Sequence, residues 1–197
     1  MSNGWTYLTE ASGLVATVLI VLSLAGGLLF SARATGSRRR PNWWLDLHNY
    51  LGGLAFAFTA FHLYAAFRDK LTGLGLVQLF VPMTAKGWAW GITWGVLATY
   101  LMAAVVFTSW PKKLLSRRNW LIVHLLSVPG TFLVAAHAWM VGSNRHGVWF
   151  HTLLALLTGL AVYPGVLRIA GVIAKRKRQR EREQQRSAKA QAGSRSS

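Results

Sequence analysis

The chain has 197 residues, is 53% hydrophobic and carries a formal net charge of +17. That pairing conflicts with an ordinary soluble globule and fits a membrane protein whose charges sit in loops and a tail. Cysteine is absent, which excludes disulfides and thiolate-held iron–sulfur clusters. The basic residues flank apolar runs instead of forming one folded basic face, so no nucleic-acid partner is expected.

Five apolar stretches are long enough to cross about 30 Å of hydrocarbon at about 1.5 Å per residue. The expected fold is therefore all-α, a polytopic membrane bundle of about five transmembrane helices. Residues 1–11 form an outer amino terminus without Lys or Arg. The first span is expected near 12–31. It is longer than a signal-peptide core, has no basic segment before it and is followed by no clear small-residue cleavage site. A loop with Arg33, Arg38, Arg39 and Arg40 follows. The second span, near 44–66, contains His48 and His62. The next loop holds Arg68, Lys70 and Lys86, with GLGLVQLFVPM at 73–83, too short to cross and expected at the outer interface.

The third span is expected near 88–109, before a loop with Lys112, Lys113, Arg117 and Arg118. The fourth, near 120–141, contains His124 and His137 around Pro129 and Gly130. A short turn with Arg145 and His146 leads to the fifth, near 148–173, which opens with His151. KRKRQRER then begins a basic tail over 174–197, expected to extend the helix briefly and then lose order. Basic residues are concentrated on alternate loops and the tail. By the positive-inside rule the amino terminus is outside and the carboxyl terminus cytoplasmic, in an inner (plasma) membrane. Trp43, Trp44, Trp88, Trp90, Trp110, Trp120, Trp139 and Trp149 fall near span ends, as an aromatic belt does.

Spans two and four run in the same direction, since one span separates them. His48 and His124 therefore share a depth near the cytoplasmic face, and His62 and His137 share one near the outer face. The tiers are about 21 Å apart for fourteen helical residues. Each pair of imidazoles can supply both axial nitrogens of one haem, and haem b held by histidine alone needs no cysteine. No carboxylate lies between the histidines of either span, which argues against a proton relay or an oxygen-ligated metal. Four rings at two depths do not fit a single zinc tetrahedron.

Thirteen residues separate His124 from His137, which on an ideal helix turns the two apart. A kink at Pro129 and Gly130 is expected to restore alignment. Gly52 and Gly53, one turn after His48, suit either a close porphyrin face or helix–helix contact. Candidate cations for propionates are Arg38 to Arg40, Lys112, Lys113, Arg117, Arg118 and Arg168 inside, and Arg68, Lys70, Lys86 and Arg145 outside. His146 and His151 lie off the four-histidine grid and read as interfacial polar residues or as a surface metal site.

The spacing H-x13-H at His48 and His62, with W-x3-H-x12-H at Trp120, His124 and His137, resembles the ferric reductase-like transmembrane domain. That family contains ferric reductases, NADPH oxidases and the haem subunit of periplasmic methionine sulfoxide reductases. The likeness covers about residues 12–170. LFVPM at 79–83 and GVLATYLMAAVVFTSW before the basic loop add to it. The domain is expected over 12–173. The resemblance implies two b-type haems, one on His48 with His124 and one on His62 with His137. It implies transmembrane electron transfer from a cytoplasmic-side donor to an outer acceptor: ferric complexes, oxygen or a periplasmic protein. Relatives often continue into an FAD and NAD(P)H module, and no G-x-G-x-x-G in a strand–helix setting occurs here. The donor is therefore expected to be a separate flavoprotein reductase or a quinol, with FAD and NAD(P)H entering only through such a partner. The alternatives are a quinol-linked haem subunit of a periplasmic reductase complex, and a non-catalytic scaffold or haem carrier.

Overall fold

In the computed structural model the described residues are 4–32, 42–110, 115–142 and 147–195. Among them the chain is helical, with no strand. In order, the helices are α1 (Gly4–Ala32), α2 (Asn42–Arg68), α3 (Leu76–Phe80), α4 (Ala89–Ser109), α5 (Arg117–Leu125), α6 (Ser127–Val141) and α7 (Val148–Arg195). Five segments are long and apolar enough to cross a membrane: Gly4–Ser31, Trp43–Arg68, Ala89–Ser109, Arg117–Val141 and Val148–Gln185. The chain is a multi-pass membrane protein. Hydroxyls inside the spans bond the carbonyl four residues back, as Thr17 does to Gly13 (2.8 Å), Thr99 to Gly95 (2.9 Å) and Thr131 to Ser127 (2.8 Å). Such back-bonding lets polar side chains sit where no water can satisfy them.

Helix α1 packs along α2, α2 meets α4, α4 packs along α6, and α6 closes back on α1. These four form a ring. Helix α7 lies outside it, mainly against α1. A buried apolar cluster of Val21 and Leu24 from α1 with Leu157 and Ala161 from α7 sits at that outer contact. Across the ring the diagonals stay apart. No described α-carbon of α2 comes within 8 Å of one in α5 or α6, and none of α1 within 8 Å of one in α4. Between the tiers, α2 and α4 touch through Phe56 and Phe107, whose ring centres are 5.4 Å apart.

Two boundaries differ from the sequence reading. The first helix begins at Gly4, well before 12, because TYLTEASG contains no helix breaker strong enough to stop it. At the other end, α7 continues through the basic segment to Arg195, where the composition predicts a short extension and then disorder. The Glu, Gln, Arg, Lys and Ala of that segment are good helix formers and carry no Pro.

The expected kink in span four is a break between α5 and α6. The N–H of Leu126 turns back to Val123 O at 3.0 Å, and the regular pattern resumes with Gly130 N–H to Leu126 O at 3.0 Å. Pro129 lies one turn beyond. It has no N–H to offer Leu125 O, and its ring crowds that carbonyl, so the ladder opens at the residue four before it. Upstream, Ser116 caps α5 by accepting the N–H of Asn119 at 3.3 Å.

Segment 73–83 contains the short helix α3, pinned to α4. Tyr100 OH donates to Phe80 O, and Met83 N–H donates to Thr93 Oγ1 at 2.9 Å. Asp69, just beyond α2, is 2% exposed. Its Oδ1 accepts the N–H of Leu71 at 3.0 Å, while its Oδ2 has no hydrogen-bond partner among the described residues.

Candidate functional site: two tiers of paired imidazoles

The histidines stand on one diagonal of the ring, on α2 and on α5 and α6. Their backbones are held apart, yet their rings meet in pairs. His48 faces His124 with ring centres 5.9 Å apart and planes at 67°. His62 faces His137 at 6.2 Å and 80°. Two imidazoles sharing one metal through nitrogens at about 2.0 Å place their ring centres about 6 Å apart. Both pairs have that separation.

The other diagonal, α1 and α4, orients the rings. His62 Nδ1–H donates to Thr9 O at 2.8 Å, and His48 Nδ1–H donates to Ser23 O at 3.0 Å. His137 Nδ1–H donates to Gly91 O at 2.8 Å. A carbonyl can only accept, so Nδ1 carries the proton in His62 and His137; at His48, where Ser23 Oγ also lies 3.2 Å from Nδ1, the carbonyl contact favours the same arrangement. Metal-bound histidines are commonly held in this way, with the second nitrogen fixed by a backbone carbonyl.

Four residues after each accepting carbonyl stands a glycine. A Cβ at Gly13 would lie 2.9 Å from His62 Nδ1, one at Gly27 3.1 Å from His48 Cε1, and one at Gly95 2.7 Å from His137 Nδ1. The cradle is thus a repeated unit, a carbonyl and then a glycine one turn on. On α1 the two units are fourteen residues apart, matching the fourteen between His48 and His62 on antiparallel α2. Trp44 adds a further tie at the level of His48, its Nε1–H donating to Gly26 O at 3.1 Å.

His124 is held differently. Fourteen residues after Gly95 stands Ser109, and Ser109 Oγ lies 3.3 Å from His124 Nδ1. Trp120 stacks on the His124 ring with centres 4.8 Å apart and planes at 25°. Its Nε1–H donates to the same Ser109 Oγ at 3.2 Å.

The remaining sequence candidates distribute as follows. A Cβ at Gly52 would touch only Ser23 Oγ at 3.6 Å, and one at Gly53 would meet nothing within 4 Å. The close approaches to imidazole are made by glycines of the facing helices instead. Trp43, Trp88, Trp90, Trp110, Trp139 and Trp149 are exposed on the bundle, as a belt requires, whereas Trp44 and Trp120 turn inward. His151 packs on Trp139, ring centres 4.5 Å apart. Arg68 lies over the Trp5 ring, 5.4 Å from its centre, and Arg117, Arg118, Lys70 and Lys86 are exposed. Arg33, Arg38, Arg39, Arg40, Lys112, Lys113, Arg145, His146 and the side chain of Arg168 lie outside the described residues.

Among the described residues, no three His, Asp or Glu side chains converge on one point. A bare ion bound only by protein is therefore not what the histidine tiers suit. A porphyrin supplies the four in-plane nitrogens itself and asks the protein for two axial ones. The ring spacing, the bare Nε2 atoms and the glycine cradles fit that group at both tiers.

Such a bundle belongs to the class of membrane helical domains that present paired histidines at two depths. The chain is a member of the ferric reductase like transmembrane component family, whose family model matches residues 12–136. The match spans both tiers on α2 and includes His124, ending one residue before His137. Domains of this family generally bind haem and work with a redox partner. Comparisons with curated proteins and with solved structures return no match.

Proposed function

We propose that this chain is a transmembrane electron carrier with two haem b groups, one held by His48 and His124 and the other by His62 and His137. Held by these histidines, a haem would supply one-electron redox chemistry rather than oxygen binding. The chain's part is to fix the rings. The carbonyls of Thr9, Ser23 and Gly91 hold three imidazoles through Nδ1, which leaves Nε2 as the nitrogen to offer to iron. The small residues of α1 and α4 let those rings approach the backbone, and the apolar spans exclude water.

The distribution of basic residues supports a His48 tier on the cytoplasmic side of the plasma membrane and a His62 tier outside, with the amino terminus outside and the carboxyl terminus inside. Electrons then enter from a cytoplasmic-side donor, a separate flavoprotein reductase using NAD(P)H or a quinol, and leave to an outer acceptor: a ferric complex, oxygen or a periplasmic protein. The observation that carries this reading is the pair of ring separations, 5.9 and 6.2 Å, on helices whose backbones do not touch.

The test is a reduced-minus-oxidised spectrum with a haem-to-protein ratio on protein purified from membranes. Two b-type haems per chain are expected. None would leave a membrane scaffold as the reading. Reduction by quinol, compared with reduction by NAD(P)H plus a flavoprotein, separates a quinol-linked subunit from a flavoprotein-fed one.

A further inference from the structure

Among the described residues, three of the four imidazoles rest on a backbone carbonyl and one does not. His62 and His137 bond carbonyls at 2.8 Å and His48 at 3.0 Å. His124 has a hydroxyl at 3.3 Å. That hydroxyl already accepts the indole N–H of Trp120 at 3.2 Å. Where the repeat on α4 would place another glycine, Ser109 supplies the side chain instead. Four residues before Ser109, where the repeat places the accepting carbonyl, Val105 O lies 3.3 Å from the Thr108 hydroxyl, which also donates to Ala104 O at 2.6 Å.

We infer that Ser109 is a positioning residue that sets the reduction potential of the inner haem through His124, with Trp120 adjusting how strongly it does so. The inference rests on the two-haem reading above. An acceptor at Nδ1–H draws the proton outward and makes Nε2 a stronger base. A stronger axial base favours ferric over ferrous iron, so a weaker acceptor moves the potential in the positive direction. Ser109 is the weakest acceptor of the four, because a donor from Trp120 already occupies part of its capacity. Removing its hydroxyl takes away the acceptor that Nδ1–H has in the structure. Removing the Trp120 donor while keeping a stacked ring strengthens the bond to His124. The two changes therefore shift the same haem in opposite directions, which loss of packing alone does not do.

The experiment is a spectroelectrochemical titration of the purified full chain, comparing wild type with Ser109→Ala, Ser109→Thr and Trp120→Phe. The inner component is identified as the one missing from His48→Ala. Ser109→Ala is expected to raise the reduced-to-oxidised ratio of the inner component at fixed potential by about tenfold, equivalent to about 59 mV for one electron. The outer component stays in place, and Ser109→Thr, which keeps the hydroxyl, stays near wild type. Trp120→Phe is expected to move the inner component in the negative direction. Equal shifts of both components in Ser109→Ala, or no shift in either, overturn the inference while leaving two haems intact. If Ser109→Ala loses the inner haem, Trp120→Phe decides: a negative shift supports the inference and an unchanged or positive one overturns it. Wild-type protein without haem removes the two-haem reading itself, and this inference with it.

Discussion

Replacing Gly95 with alanine places a methyl group where the His137 ring now rests. The new Cβ would lie 2.7 Å from Nδ1, and ordinary contact begins at 3.4 Å, so the ring must retreat by about 0.7 Å. That movement stretches the 2.8 Å bond to Gly91 O to about 3.5 Å, past useful hydrogen-bond length. It also exceeds the roughly 0.2 Å latitude of a metal–ligand distance. Losing such an outer partner typically costs about 10- to 100-fold in metal affinity, or about 1.4 to 2.7 kcal/mol. Alanine meanwhile favours a helix over glycine by about 1 kcal/mol, so the helix itself is not weakened. The same measure ranks the series. Gly13→Ala, with a Cβ 2.9 Å from His62, requires about 0.5 Å, and Gly27→Ala, at 3.1 Å from His48, about 0.3 Å. Gly26→Ala meets nothing within 4 Å and is the control. Haem-to-protein ratio and redox titration of the purified variants should show the outer haem weakened most by Gly95→Ala, less by Gly13→Ala, and the inner haem least by Gly27→Ala. A Gly95→Ala protein with wild-type haem content and potentials, or a Gly26→Ala protein as damaged as the others, would refute the cradle argument.

His48→Ala or His124→Ala should remove the inner haem alone, and His62→Ala or His137→Ala the outer alone, read as the loss of one of two titrating components; retention of both haems in any of the four contradicts the pairing. Asp69→Asn keeps the oxygen that accepts Leu71 N–H and removes a buried carboxylate whose other oxygen has no partner among the described residues. Its melting temperature in detergent should equal or exceed that of wild type, since an unpaired buried charge costs stability, and a drop would show that Oδ2 is engaged. Met83, with φ of 65°, holds a left-handed conformation that costs a non-glycine residue about 1 kcal/mol or more. Met83→Gly should raise the unfolding midpoint, and a lower midpoint would mean that the half-exposed side chain contributes more than the backbone strain takes away.

Much of the ring geometry was legible in the sequence because membrane helices convert residue number into depth. The separations of fourteen and thirteen residues, with one intervening span, were enough to bring His48 to His124 and His62 to His137. The need for a bend in span four was also legible, although the break opens at Leu125 to Ser127, one turn before the proline that causes it. The cradles were not. Gly52 and Gly53 draw attention by lying beside a histidine in the chain, while Gly13, Gly27 and Gly95 lie on other helices and look like ordinary small residues of a span. Only the pairing of antiparallel helices reveals that positions 13 and 27 oppose positions 62 and 48. Trp120 was misleading for the same reason: its place near a span end matches an aromatic belt, but the Ser109 hydroxyl and the His124 ring give its indole a better partner than the interface.

The matched repeat of α1 and α2 makes chain length between the tiers a quantity that tolerates almost no drift. One residue inserted in α2 between His48 and His62 rotates everything beyond it by about 100° and advances it by about 1.5 Å, so a single tier is lost while the other stays assembled. A compensating insertion in α1 cannot repair the rotation. Only paired changes of about two turns in both helices would keep the histidines facing their carbonyls. The α5–α6 break shows the other available tolerance, a one-residue deficit absorbed by a disrupted turn. Unpaired insertions and deletions accepted in this region should therefore fall at that break or outside the tiers, and nowhere along α1 between Thr9 and Gly27.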